Sequence, residues 1–173
     1  MKKLNLNLIS FLIFFTFILS FTPNSNANNL IMGTPNVIDG DTLKIDGKKI
    51  RLFGIDAPES NQICQKFWLS ILFLELKKNY FCGKETTKKL KKLLFNEKVK
   101  CEVVGIDRYR RFLAICKKNN LDVNSWLVRN GLAVAYIKYS KKYLNDEKEA
   151  KREKKGLWKG NFEMPWNWRK KNR

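Results

Sequence analysis

Residues 37–59 read VIDGDTLKIDGKKIRLFGIDAPE, and the reading of this stretch decides the fold. Two short apolar-containing runs flank Asp46-Gly47, a pair that suits a tight type I′ turn, so the stretch reads as a β-hairpin. Along the second run Ile50 and Leu52 point one way, while Arg51, Phe53 and Ile55 point the other. A strand with both faces partly apolar fits a small barrel with a helix packed outside. The hairpin folds the Asp41 end back towards Asp56, fifteen residues later, and Glu59 follows just beyond Pro58. Three carboxylates beside Arg51 make a set of hard oxygen donors next to a guanidinium. Such a set suits a divalent cation and the negative charge that gathers on a phosphodiester under attack. The same spacing also describes an ordinary hairpin with solvated aspartates in its turns.

Upstream, residues 1–27 read as a secretory signal: Lys2 and Lys3, an apolar run from Leu8 to Phe21, then a polar stretch ending Ser25-Asn26-Ala27. The run is shorter than the roughly 20 residues a spanning helix needs. Cleavage after Ala27 and export, to the periplasm or out of the cell, are expected, with an uncleaved anchor as the alternative. One domain over residues 28–173 would remain. The chain carries 35 basic and 16 acidic residues, a net charge of +19, which falls to +17 without Lys2 and Lys3. An excess of this size attracts polyanions with steep salt dependence, and it also suits an anionic membrane surface. Histidine is absent, which excludes histidine triads, histidine metal sites and histidine-metal nucleases.

The four cysteines, Cys64, Cys82, Cys101 and Cys116, are too widely spaced for the short pairs zinc prefers. In an exported chain they suggest two disulfides. Of the three connectivities, Cys64–Cys82 with Cys101–Cys116 is favoured, because the second pair falls on adjacent strand candidates and the first closes an irregular loop. Asn28–Met32 reads as a loose leader. Phe67–Leu76, FWLSILFLEL, reads as a buried amphipathic helix, with a lid or a partner or membrane contact as alternatives. Gly83–Asn96 reads as a helix with Leu90, Leu93 and Leu94 inward and a lysine-rich outer face. Lys98–Ile106 and Arg111–Lys117 read as strands joined by a short connection. Asp122 caps a further helix ended by Gly131, Leu132–Ile137 reads as a strand, and Ser140–Lys155 as a charged helix stopped by Gly156. The tail with Trp158, Trp166 and Trp168 either docks on the barrel or stacks on bases. This order of elements permits an OB-type barrel.

VIDGDT, IRLFGIDAPE and DRYRRFLA occur in that order, and together they closely resemble the staphylococcal nuclease (thermonuclease-like) family, from about residue 32 to the end. The resemblance implies a mainly β with α (α+β) fold: an OB-fold five-stranded Greek-key barrel with about three packed helices. It implies a Ca²⁺ ion held by Asp41, Asp56 and the backbone carbonyl of Ala57, where the family often has Thr. Glu59 falls on the family's general base, a role that requires freedom from direct pairing with an arginine. Arg51 and Arg111 fall on its phosphate-binding arginines, and planar guanidinium groups suit bidentate phosphate contacts. Tyr109 and Tyr136 would flank the nucleotide.

The sequence departs from the family's D-x-Y-G-R at Arg110, which stands where glycine is usual. A positive φ there would strain Arg110 by ~1–2 kcal/mol, or Arg110 would add a phosphate contact. The implied activity is Ca²⁺-dependent endonucleolytic hydrolysis of DNA and RNA, with single strands preferred, low sequence specificity and 3′-phosphate products. No protein partner is implied, and a monomer is expected. The rival readings are a non-catalytic nucleic-acid-binding barrel and an envelope-bound basic protein using Phe67–Leu76.

Overall fold

The Asp46-Gly47 turn forms with φ of 46° and 79°, the two left-handed residues a type I′ turn requires. It joins β3 (Thr42–Ile45) to β4 (Lys48–Leu52). In this computed structural model, which describes residues 29–71 and 74–172, these two strands lie in a curled sheet. Its other members are β1 (Leu30–Gly33), β2 (Asn36–Val37), β8 (Val99–Ile106), β9 (Phe112–Lys118) and β10 (Leu121–Asp122). Two further pairs stand apart from the sheet. β5 (Ile55–Asp56) pairs with β11 (Val134–Ala135), and β6 (Ile63–Ile71) pairs with β7 (Leu74–Phe81). The described helices are α1 (Cys82–Leu93), α2 (Val123–Arg129), α3 (Leu144–Arg152) and α4 (Pro165–Lys171), with a 3₁₀ turn at Gly156–Lys159. The architecture is α+β and consistent with the OB-fold, with four helices where about three were expected.

The sheet runs β1-β8-β9-β4-β3-β2, with β10 on β9. The β4–β9 pairing is parallel and sets Arg51 opposite Leu113. It therefore brings the loop before β9, which carries Arg111, towards the arginine and aspartates of the hairpin. Alternation supplies the core: Leu43, Ile45, Ile50 and Leu52 are fully buried, and they pack with Leu90 and Leu94 of the α1 region and Val123, Leu127 and Val128 of α2. Each such side chain contributes about 1.5–3 kcal/mol on burial. The N-terminus of α2 forms as its sequence requires, with Asp122 Oδ1 accepting the Ser125 N–H at 3.0 Å.

Both disulfides form as favoured, Cys64–Cys82 and Cys101–Cys116. Cys101 and Cys116 occupy directly paired positions on β8 and β9. The fold corrects two expectations. The leader is not loose: Leu30–Gly33 pairs with β8, where unpaired backbone groups of that strand accept a partner, and Ile31 is buried. Phe67–Leu76 is not a helix but part of the β6–β7 hairpin, with Leu72 and Phe73 outside the described residues. The Cys64–Cys82 bridge closes the base of this hairpin, where Ile63 faces Phe81 and Cys64 faces Tyr80. That register commits the segments above it to pairing. Phe67 and Leu76 are exposed rather than buried. Among the described residues none of the hairpin lines the main cleft, and no helix is long and apolar enough to cross a membrane. The signal reading of residues 1–27 lies outside the described residues.

Candidate active site

The site begins with the turn Asp39-Gly40-Asp41. A Cβ at Gly40 would lie 2.7 Å from the Ala57 Cβ and 2.9 Å from Thr86 Cγ2, so only glycine lets this turn press against the β5 exit and α1. Asp39 Oδ1 accepts the Asp41 N–H at 3.0 Å, and Asp41 Oδ2 accepts the Ala57 N–H at 3.0 Å. The aspartates that are fifteen residues apart in sequence are thereby locked side by side. Arg51 spans them, donating Nη1 to Asp41 Oδ1 at 2.6 Å and Nη2 to Asp56 Oδ1 at 2.7 Å. Glu59 sits on the next loop, its backbone fixed by Gly83 at the start of α1, where a Cβ would lie 2.0 Å from the Glu59 carbonyl oxygen.

Arg111 enters from the loop before β9. Its Nε donates to Asp107 Oδ2 at 2.8 Å, and its Nη2 lies 2.7 Å from the same oxygen. Asp107 Oδ1 accepts the N–H groups of Tyr109 at 2.9 Å and Arg111 at 3.0 Å. Burial works against the Asp107 carboxylate, yet these hydrogen bonds hold its pKa below the usual carboxylate range. Arg110 takes φ 61°, the left-handed conformation in which glycine is unstrained. The turn is retained, and Arg110 bears the strain. Arg110→Gly is expected to raise stability by about 1 kcal/mol, read as a higher urea midpoint at unchanged slope. An unchanged midpoint would show that Arg110 sits there without cost.

An open cleft of about 1110 Å³ joins these groups. Its walls include Asp39, Asp41, Arg51, Ala57, Glu59 and Arg111, together with Tyr109 and Tyr136. Of the residues expected at the site, two do not line the cleft: Arg110 is exposed outside it, and Asp56 is wholly buried. Tyr136 lines it with one ring face already stacked on Trp166, centroids 5.4 Å apart and planes 4° from parallel.

The sequence reading missed Arg169. It lies on α4 and donates Nη2 to both oxygens of Asp56, at 2.9 and 2.7 Å, and Nη1 to Glu59 Oε1 at 3.0 Å. Its only sequence signal is its place beside Trp168 in the aromatic tail. Glu59 thus has an arginine partner, contrary to what the base role was expected to require. Asp56 is fully buried, and its pKa is raised, first by that burial and also by the charge of Asp41, with Arg169 and Arg51 opposing. The Asp39 carboxyl is raised too, by burial and by Asp41. Burial disfavours the charged Arg169, but its bonds to Asp56 and Glu59 outweigh this and raise its pKa. Among the described residues no group of three or more acidic, histidine or cysteine side chains is placed to hold a metal by itself. Any cation here would combine the Asp41–Asp56 pair with backbone oxygen and water.

Residues 49–160 match the family model described as staphylococcal nuclease homologue. The chain is 35% identical over 144 residues to the succinoglycan biosynthesis protein ExoI of Rhizobium meliloti, covering 82% of this chain and 71% of that protein. It is 32% identical over 148 residues to the thermonuclease of Staphylococcus hyicus, covering 78% and 79%. It is 34% identical over 128 residues to the staphylococcal-like nuclease CAN1 of Arabidopsis thaliana, covering 72% of this chain but 34% of that longer protein. With the family model spanning most of the chain and the hairpin, Arg111 loop and barrel sheet in place, this protein belongs to the staphylococcal nuclease family.

Proposed function

We propose that this member of a phosphodiester-hydrolysing nuclease family is an exported, calcium-dependent endonuclease that cuts DNA and RNA with low sequence specificity. The observation that carries the reading is the convergence of Asp41, Arg51, Glu59 and Arg111 on one cleft, with the buried Asp56 bonded to Arg51 behind it. The donor set fits a hard divalent cation: two adjacent carboxylates bonded to guanidinium groups, with no histidine in the chain and no cysteine or methionine among the described residues of the cleft wall. Asp41, Asp56 and the Ala57 carbonyl would hold Ca²⁺, which when bound supplies charge neutralisation for the phosphate under attack.

The remaining chemistry belongs to the chain. The Glu59–Arg169 bond uses Oε1, so Oε2 is the atom that would take the proton of the attacking water. Arg111 uses Nε and Nη2 on Asp107, which orients the guanidinium and leaves Nη1 for a phosphate oxygen. Arg51, gripped by two aspartates, presents a fixed positive charge to the same cleft. Water adds to phosphorus as Glu59 takes its proton, the bond to the 5′ oxygen breaks, and that oxygen gains a proton from solvent, so that a 3′-phosphate and a 5′-hydroxyl result. A site that grips phosphate rather than base edges gives little sequence preference. The large positive charge, +17 without Lys2 and Lys3, draws the polyanion in, and the cleft aromatics suit unstacked bases of single strands.

Digestion of single-stranded DNA and RNA by the purified protein, in Ca²⁺ and in EGTA, tests the reading. Cutting is expected in Ca²⁺ only, with 3′-phosphate ends. Nucleic-acid binding without cutting under both conditions would replace the nuclease with a binding barrel.

A further inference from the structure

The C-terminal segment is anchored on the rest of the fold at several independent points. Gln62, fully buried, accepts the Glu59 N–H on Oε1 at 3.3 Å and donates Nε2 to the Glu163 carbonyl at 2.7 Å. Gln65 N–H donates to the Asn161 carbonyl at 2.8 Å. Gly160 presses so close to Gln65 that a Cβ there would lie 2.2 Å from the Gln65 carbonyl oxygen. Pro165 is buried at the first turn of α4, and Trp166 stacks on Tyr136. Arg169 therefore reaches Asp56 and Glu59 from a fixed support, with its side chain only 20% exposed. Its contacts are those of a bound cation: both oxygens of a wholly buried aspartate and one oxygen of a neighbouring glutamate.

Asp41, Asp56 and Glu59 against Arg51 and Arg169 leave one net negative charge, and without Arg169 they would leave two. We infer that Arg169 is the resident counter-ion of this site: it holds Asp56 and Glu59 together while no divalent cation is bound, and it competes with that cation for the oxygens of Asp56. The C-terminal helix thus sets how tightly the site takes a cation. The inference rests on the calcium-nuclease reading and deepens it. One guanidinium bonds both carboxylates, so a cation that takes Asp56 also loosens Glu59. The paired base becomes available when the site is loaded, which removes the conflict between the Glu59–Arg169 bond and a base role. Arg169 acts here through other groups and is a positioning residue.

The test is calorimetric titration of Ca²⁺ into the purified wild-type protein, Arg169→Gln and Arg169→Lys, each checked for folding by circular dichroism. Removing a positive charge one hydrogen bond from a cation ligand is expected to tighten Ca²⁺ binding by about tenfold. Lysine keeps the charge but cannot bridge two oxygens with a planar fork, so a smaller tightening is expected from it. A merely structural role would weaken binding in both variants. Unchanged or weaker binding in Arg169→Gln overturns the inference while leaving the nuclease reading intact. Absence of binding in every protein overturns both. Should Arg169→Gln fail to fold, Arg169→Lys decides: tighter binding than wild type supports the competition, and equal or weaker binding overturns it.

Discussion

Replacing Arg51 with methionine is expected to lower folding stability by about 3–5 kcal/mol and the cleavage rate by on the order of 10³-fold. Asp41 and Asp56 are 4% and 0% exposed, and Arg51 is the group that bridges them, at 2.6 and 2.7 Å. Without it the Asp41 carboxylate keeps, among the described residues, the Ala57 N–H and the Thr42 hydroxyl, and two buried like charges face each other with Arg169 on one of them. Leaving a buried ion pair half-made is among the costliest single changes a fold meets. The loss should be larger in EGTA than in Ca²⁺, because a cation that binds the folded protein restores stability by mass action. Arg111→Met supplies the contrast. Its partner Asp107 keeps the N–H groups of Tyr109 and Arg111, so the stability loss should be smaller, about 1–2 kcal/mol, while the rate falls comparably. Urea unfolding with and without Ca²⁺, beside single-turnover cleavage, separates the two. Equal stability losses would show that the aspartate pair does not depend on Arg51.

Glu59→Gln is expected to lower the cleavage rate by ~10²–10⁴-fold with single-strand binding retained. Glutamine keeps the size of the side chain and an oxygen for Arg169, yet it cannot take a proton from water. Glu59 is 39% exposed and holds no part of the core, so its removal should cost little stability. Cleavage measured under saturating Ca²⁺, with filter binding to the same oligonucleotide in EGTA, is the check. Retention of cutting within about tenfold would move the base role to another group lining the cleft.

The hairpin was legible because its information is local. Asp46-Gly47 fixes the turn, alternation fixes which side chains face the core, and the register then follows. The Cys101–Cys116 disulfide was legible for a related reason, since strand order already placed the two cysteines side by side. The Phe67–Leu76 run was misread because a continuous apolar stretch has no period to separate helix from strand. Its pairing is decided by the Cys64–Cys82 closure and the strand register built above it. Leu30–Gly33 was overlooked because a four-residue strand exists only when the edge of β8 is there to receive it.

The hairpin, the Asp122 cap, the residues of the Asp41–Asp56–Glu59 cluster and the departure at Arg110 could be read from the chain, and the pairing favoured for the cysteines is the one that forms. Tertiary structure alone decided what those carboxylates face. Arg169 lies 113 residues from Asp56 and 110 from Glu59, and no period or motif spans such a gap. Its place follows from the docking of Trp166 on Tyr136 and of the tail on Gln62 and Gln65, contacts that exist only once barrel and hairpin have both folded. Local propensity can specify which charges a chain carries and where each sits on its own element. Which opposite charge neutralises a buried one is a property of the whole packed chain.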